Sequence, residues 1–336
     1  MPVCKIANCE ANSGGKCLEG QGANCPNLIA LSEKAEVSGA SPEILPEAVA
    51  REDLYRGLKL STVEASELLR SERAHVVVIA GPVDSGKTTL LCKIMEMFQV
   101  GPIKDHRFAG SQTLPAFESL CWHNTFESGA NAPIVPRTPR SDNEQFFHIQ
   151  VQNVKGDSIV LDLLIGDLAG ETFPEVATDE SICRAIVSLA RADHLLIAID
   201  GEAIRNPGRR HEQQNYIREF IRRVIQTGQV GRHTALHLVT TKIDVLGLGD
   251  EGDSGLSFLD HLENRLTADF MRLCGSIHCW RTAARPHNGT ATEDAIGELM
   301  NVVASTTHRY EYAPPAIKAE KIAARDFSQF GSHYGI

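Results

Sequence analysis

Polar and apolar positions divide the chain into a front without sustained period and a body in which short apolar runs alternate with amphipathic stretches. HVVVIA from His75, DSIVLDLLIGD ending at Asp167, HLLIAID ending at Asp200, TALHLVTT ending at Thr241 and the short SIHCW have the length and branched-residue content of buried strands. EQFFHIQVQN supplies a further strand ahead of the second of these. Helical spacing occupies the stretch after Lys87, residues 178–192, YIREFIRRVIQTG closing on Gly228, SFLDHLENRLTADFMRLCG and TEDAIGELMNVVAST. STVEASELLRSE ahead of the first strand opens with Ser61 and Glu64 at capping-box spacing. Strands alternating with helices predict an α/β fold, a three-layer sandwich with a mostly parallel sheet flanked by helices.

This pattern organises the chain into residues 1–27, a small cysteine-rich segment; 28–72, a linker and leading helix; 73–310, the α/β domain; and 311–336, a tail whose Phe and Tyr residues offer docking points. Residues 101–145 contain Pro and Gly with no strong period and predict a long loop of the kind that nucleotide switches use.

The junctions between strands and loops carry the chemistry. After HVVVIA comes GPVDSGKTTL, in which Gly81 and Gly86 enclose four residues and Lys87 and Thr88 follow, the Walker A spacing. Asp84, Ser85, Gly86 and the following residues through Thr89 form a loop that turns backbone N–H groups onto a polyphosphate at a helix N-terminus. Lys87 is the candidate for the β and γ phosphates, and the Thr88 hydroxyl for magnesium. Asp167-Leu168-Ala169-Gly170 places a DxxG at the next apolar strand's end, where Asp167 holds magnesium through water and the Gly170 N–H senses the γ phosphate. DxxG is common by itself and gains force from its place after a Walker A loop. A switch threonine is expected between them, either Thr138 just before EQFFHIQVQN, which is preferred, or Thr113 in GSQTLPAFE. For either one a plain loop threonine is the bland alternative.

Thr241-Lys242-Ile243-Asp244 follows a strand as TKxD, a relative of the NKxD that recognises guanine. A carboxylate at Asp244 accepts from the N1–H and amino group of guanine, and adenine offers neither in that arrangement. Lys242 is expected along the base plane, and the Thr241 hydroxyl as a tie between this loop and the cradle. Ala283 and Ala284, after the last strand, suit a small-residue loop whose N–H meets the guanine oxygen.

Composition adds exclusions. With 336 residues, 42% hydrophobic and 23% charged, the chain is ordinary for a globular protein, and its net charge of −10 argues against general affinity for nucleic acid or an anionic membrane. No apolar run approaches the roughly 18 residues of a span, and MPVCKIANCE lacks a signal peptide's apolar core, so a cytoplasmic location is expected. Cys4, Cys9, Cys17 and Cys25 crowd the front, separated by four, seven and seven residues. In a reducing compartment they suit a tetrahedral zinc site, with an iron–sulfur cluster or free thiols as alternatives. Cys92 and Cys183 fall in helices and are expected in the core.

GPVDSGKTT, DLAGE, TTKID and TAARP, in this order, resemble the TRAFAC class of P-loop GTPases over residues 75–306. FAGSQTLPAFE and the cysteine-rich front are similar to the bacterial double-GTPase group, whose members often belong to multi-gene conflict or signalling systems. The resemblance implies a P-loop NTPase fold, GTP and GDP as ligands with Mg2+, slow hydrolysis that resets a switch, a protein effector or regulator, and possible association through the nucleotide face. Two departures bear on catalysis. Glu171 stands where Ras-like proteins carry the water-orienting glutamine, and it is a candidate catalytic residue or a solvated switch residue. Val83 replaces a glycine, and Asp84 is similar to the acid of translation-factor loops, where K+ or a partner's cation is favoured. Three readings remain: a hydrolysing GTPase switch, a GTP-gated interaction module with negligible turnover that recruits partners through its metal-bound front, and an ATPase with a coincidental TKID.

Overall fold

The computed structural model describes residues 57–71, 73–122, 144–156, 159–246, 250–286 and 292–305, together with two short strands near the start. The chain divides into two units, Met1–Leu54 and Tyr55–Ile336. In the first, β1 (Val3–Cys4) pairs antiparallel with β2 (Leu28–Ile29). Leu28 thus lies within the first of these units.

The second unit begins its described chain with β3 (Leu60–Ser61), α1 (Thr62–Ser71), β4 (Ala74–Ala80), α2 (Lys87–Val100), β5 (His106–Gly110) and α3 (Leu114–Trp122). Then come β6 (Gln145–Asn153), β7 (Val160–Asp167), α4 (Thr172–Thr178), α5 (Glu180–Ala185), α6 (Val187–Arg191), β8 (His194–Asp200) and α7 (Gly201–Arg205). The remainder is α8 (Arg210–Gln226), β9 (Ala235–Thr241), α9 (Ile243–Leu246), α10 (Asp250–Phe270), β10 (Ser276–Arg281) and α11 (Glu293–Ser305). None of the described helices is long and apolar enough to cross a membrane.

The described strands of this unit form one eight-stranded sheet in the order β10-β9-β8-β4-β7-β6-β3, with β5 also on β6. Strands β10, β9, β8, β4 and β7 run parallel, whereas β6 is antiparallel to β7, β3 and β5. The valine run of β4 explains the layering. Val76, Val78 and Ala80 enter a cluster with α1, α4, α8 and α10, while Val77 and Ile79 enter another with α2, α3 and α11. A strand apolar on both sides requires a helix layer on each face. Cys92 and Cys183 are buried in helices as their apolar surroundings suggest.

Local signals operate where the sequence places them. Ser61 N–H and Oγ donate to Glu64 Oε2 at 2.7 and 2.8 Å, closing the capping box of α1, and Gly228 adopts φ 73° after the last turn of α8. Residues 101–145 depart from the expected loop. Their first half holds β5 and α3, since HRFAG finds a ladder partner in Val151–Asn153 and Phe117 is buried against Phe147 at 4.5 Å. Residues 178–192 are helical as expected, divided between the end of α4, α5 and α6, and the residues after Asp200 form α7 and the start of α8.

Candidate nucleotide site

Parallel pairing brings the tips of β4, β7, β8, β9 and β10 to one end of the sheet. Ile79 lies opposite Asp167, Ala80 opposite Ile197, and Asp200 opposite Thr241. Motifs separated by more than a hundred residues therefore meet where open α/β sheets bind ligands.

The cradle spans the turn from β4 to α2. Gly86 takes φ 78° and Asp84 φ 61°, left-handed conformations that fold the backbone around the loop. A Cβ on Gly81 would lie 2.9 Å from that of Ala198. Ser85 is buried, with its hydroxyl donating to Pro82 O at 2.8 Å, whereas Asp84 is exposed. Helix α2 begins at Lys87 with no acidic residue in its first turn, so its N–H groups and positive dipole end face the loop without a competing carboxylate. Lys87 is buried, and its amine donates to Gly81 O and Pro82 O at 2.9 Å. Burial lowers its pKa, opposed by the charges of Asp167, Glu171 and Asp84. Thr88 and Thr89 follow in the same turn.

Asp167 ends β7, and Leu168 N–H donates to Ile79 O at 3.0 Å, continuing the ladder up to the DxxG turn. Gly170 is packed directly on the cradle: a Cβ there would stand 2.6 Å from Val83 Cα and N. Glu171 is exposed at the start of α4. The oxygen donors Thr88, in the first turn of α2, and Asp167, at the end of β7, suit the hard donor set that magnesium prefers.

The base loop is stitched to this frame. Thr241 Oγ1 donates to Ser85 O at 2.8 Å and lies 3.2 Å from Ile199 O, which joins the TKID loop to the cradle. Lys242 adopts φ 51°, and its amine pairs with Asp200 at 3.1 Å and Glu202 at 3.3 Å. Asp244 is half-buried in α9, whose Ile243 N–H donates to Thr282 O at 3.1 Å, bringing the two loops after β9 and β10 together. Ala283 is buried, and its N–H donates to Thr292 Oγ1 at 2.6 Å.

The two threonine candidates separate. Thr113 is fully buried; its hydroxyl accepts from His148 N–H at 2.9 Å, and Ser111 Oγ donates to His148 O at 2.6 Å. Gln112 N–H donates to His148 Nδ1 at 2.9 Å, which directs the Nε2 proton to Asp162 at 2.6 Å. GSQT is thus a clamp onto β6, half-buried at Ser111 and Gln112 and buried at Thr113. Thr138 lies outside the described residues, as do Cys9, Cys17 and Cys25, while Cys4 is described only as part of β1.

Sequence patterns did not reveal Asp200 and Gly201. Asp200 is buried, caps α7 by accepting from Glu202 N–H at 3.1 Å, and holds Lys242. A Cβ on Gly201 would come 2.6 Å from Thr241 O, so this turn is the bed beneath the base loop. The available signal was an Asp-Gly at a strand tip followed by a short helix, a capping pattern. Behind β10, Arg281 is held by Glu263 at 2.6 Å and Asp260 at 2.5 Å.

The family model described as Double-GTPase 2 matches residues 75–303. Among solved structures, the chain is similar to translation elongation factor SelB from Methanococcus maripaludis with a GTP analogue, at 13% identity and a TM-score of 0.36, over 70% of this chain and 35% of that one. The apo form of that factor gives 13% identity and a TM-score of 0.37 over 71% and 36% of the two chains. The chain therefore spans about a third of the length of these structures. No curated protein matches it.

Proposed function

Because the chain belongs to the Double-GTPase 2 family, we propose that it is a magnesium-dependent GTP-binding switch that hydrolyses GTP to GDP and phosphate and regulates a partner protein. The observation that carries this reading is the meeting of cradle, DxxG and TKID at one sheet end, tied by the Thr241 hydroxyl. Lys87 and the loop N–H groups bind and neutralise the phosphates. Thr88 and Asp167 would hold magnesium, which when bound supplies positive charge to the β and γ phosphates. Gly170 reads the γ phosphate from its seat on Val83, and Glu171 orients water from the start of α4. Asp244 selects guanine, with Ala284 N–H toward the base oxygen and Lys242 aligned along the ring. Thr138 is proposed as the switch threonine, the clamp on Thr113 favouring that choice. K+ beside Asp84, zinc on Cys4, Cys9, Cys17 and Cys25, a cytoplasmic location and a bacterial signalling or conflict setting complete the proposal.

The test is nucleotide binding and phosphate release by the purified chain, with GTP and ATP side by side under magnesium and potassium. Asp244→Asn should weaken GTP binding at least about tenfold, the scale of losing a buried paired group. Unchanged GTP and ATP affinities in that variant would refute guanine recognition. Guanine-selective binding without turnover would replace hydrolysis by GTP-gated recruitment.

A further inference from the structure

Lys59 belongs to none of the motifs, yet its surroundings place it at the phosphate end. The chain on either side of it is fixed. Gly57 O accepts from Ala116 N–H at 2.9 Å, and Gly57, at φ 71°, is pressed onto Pro115. Immediately after Lys59, Leu60 pairs with Phe146 and Ser61 with Gln145, and Ser61 closes the capping box of α1.

Between these anchors the half-buried Lys59 extends its amine over the Phe147 ring, 4.5 Å from the centroid. Phe147 lies opposite Ile165 of β7, and Asp167 is the next residue of β7 on that face, the face that carries α2 and Lys87. Strand geometry thus makes Phe147 a diagonal cross-strand neighbour of Asp167 on the same face. The amine feels that carboxylate: burial lowers the Lys59 pKa, and the charge of Asp167 opposes the shift. Asp167 is also the first charge acting on Lys87. Since β7 lies between β4 and β6, Lys87, after β4, and Lys59, against Phe147 of β6, flank the strand that ends in Asp167.

We propose that Lys59 is a catalytic residue, an ammonium delivered in cis from the segment leading into β3 to the terminal phosphate of GTP, across Asp167 from Lys87. The proposal rests on the GTPase reading above. In the reaction the water oxygen forms a bond to the γ phosphorus, and the bond to the β–γ bridging oxygen breaks with its electron pair going to GDP. The water proton passes to the released phosphate or to solvent. Lys59 transfers no proton; it neutralises charge that grows on the phosphoryl oxygens, from a site where burial limits screening. A cation in that role usually comes from an arginine finger, in cis or from a partner. Here the cation–π contact holds the amine itself over Phe147, so little side-chain freedom is lost when the phosphate arrives.

The experiment compares the full chain with Lys59→Met, which keeps an unbranched chain without the charge, and Lys59→Arg, which keeps the charge. Three quantities are read: the single-turnover rate at saturating GTP and magnesium, the affinities for GTP and GDP, and the thermal midpoint without nucleotide. Lys59→Met should lower the rate about 10- to 100-fold and reduce the preference for GTP over GDP, with GDP affinity unchanged, and Lys59→Arg should restore most of the rate. A Lys59→Met rate and GTP preference equal to those of the unaltered chain would overturn the proposal. So would equal losses for GTP and GDP with a lowered midpoint and no rescue by Arg, which mark a structural lysine. If turnover is negligible in the unaltered chain, the GTP-over-GDP preference decides. Failure of the underlying reading is distinguishable, because guanine binding would then be missing before any substitution, and that result overturns the proposal too.

Discussion

Gly170→Ala isolates the contact between the DxxG turn and the cradle. The backbone of Gly170 is outside the left-handed region, so alanine meets no conformational penalty there and the effect is one of space. The added methyl would stand 2.6 Å from Val83 Cα and N and 2.9 Å from its Cγ2. Carbon atoms in contact prefer about 3.5–4.0 Å, so a relief of about 1 Å is needed. Two of the three atoms belong to backbone, and a side-chain rotation cannot provide that relief. The turn must therefore lift off the loop, at the cost of about 1–3 kcal/mol seen for overpacking. At 1.4 kcal/mol per decade, this lowers the population of the seated turn about 5- to 150-fold. If that seat brings the Gly170 N–H to the γ phosphate, GTP affinity falls by this factor while GDP affinity holds. Competition of both nucleotides against a fluorescent GDP analogue measures the two values. Equal losses for GTP and GDP, or none for either, would refute the reasoning.

Thr241→Val removes the hydroxyl that joins Ser85 O and Ile199 O in a buried setting. It should cost about 1–3 kcal/mol in urea unfolding, with Thr241→Ser close to the unaltered chain. Burial holds His106 and His278 below the ordinary histidine pKa. The unfolded chain then binds more protons than the folded one below about pH 6.5, so stability should be complete above that value and decline as pH falls through it. Thermal midpoints from pH 8 to 5.5 check this, and His278→Gln should flatten the slope. Elemental analysis of freshly purified chain should find about one zinc, lost when Cys4 and Cys9 are replaced by Ser; metal-free chain would refute the zinc site.

The strands of the sheet centre were legible because each is a run whose own residues are apolar on both faces, and burial of such a run leaves few alternatives. The cradle was legible for a related reason: its glycine spacing, lysine and threonine are contiguous and their chemistry is local. The Ser61–Glu64 box and Gly228 are likewise short-range. Residues 101–122 misled because β5 has meaning only beside β6, and α3 is held by a buried phenylalanine pair and the Ser111–Thr113 clamp instead of by strong caps of its own.

Sequence by itself determined the central strands, the helices of strong period, the two-sided core and the order of the nucleotide motifs. Tertiary structure decided which residues meet at the site. It placed β4 between β7 and β8, set Gly170 on Val83, laid the Thr241 loop on Gly201, buried the Thr113 hydroxyl against His148, and set Lys59 over Phe147 ahead of a two-residue strand. Periodicity along a chain records the burial and backbone preference of each residue, whereas these meetings depend on a strand order that does not follow the chain.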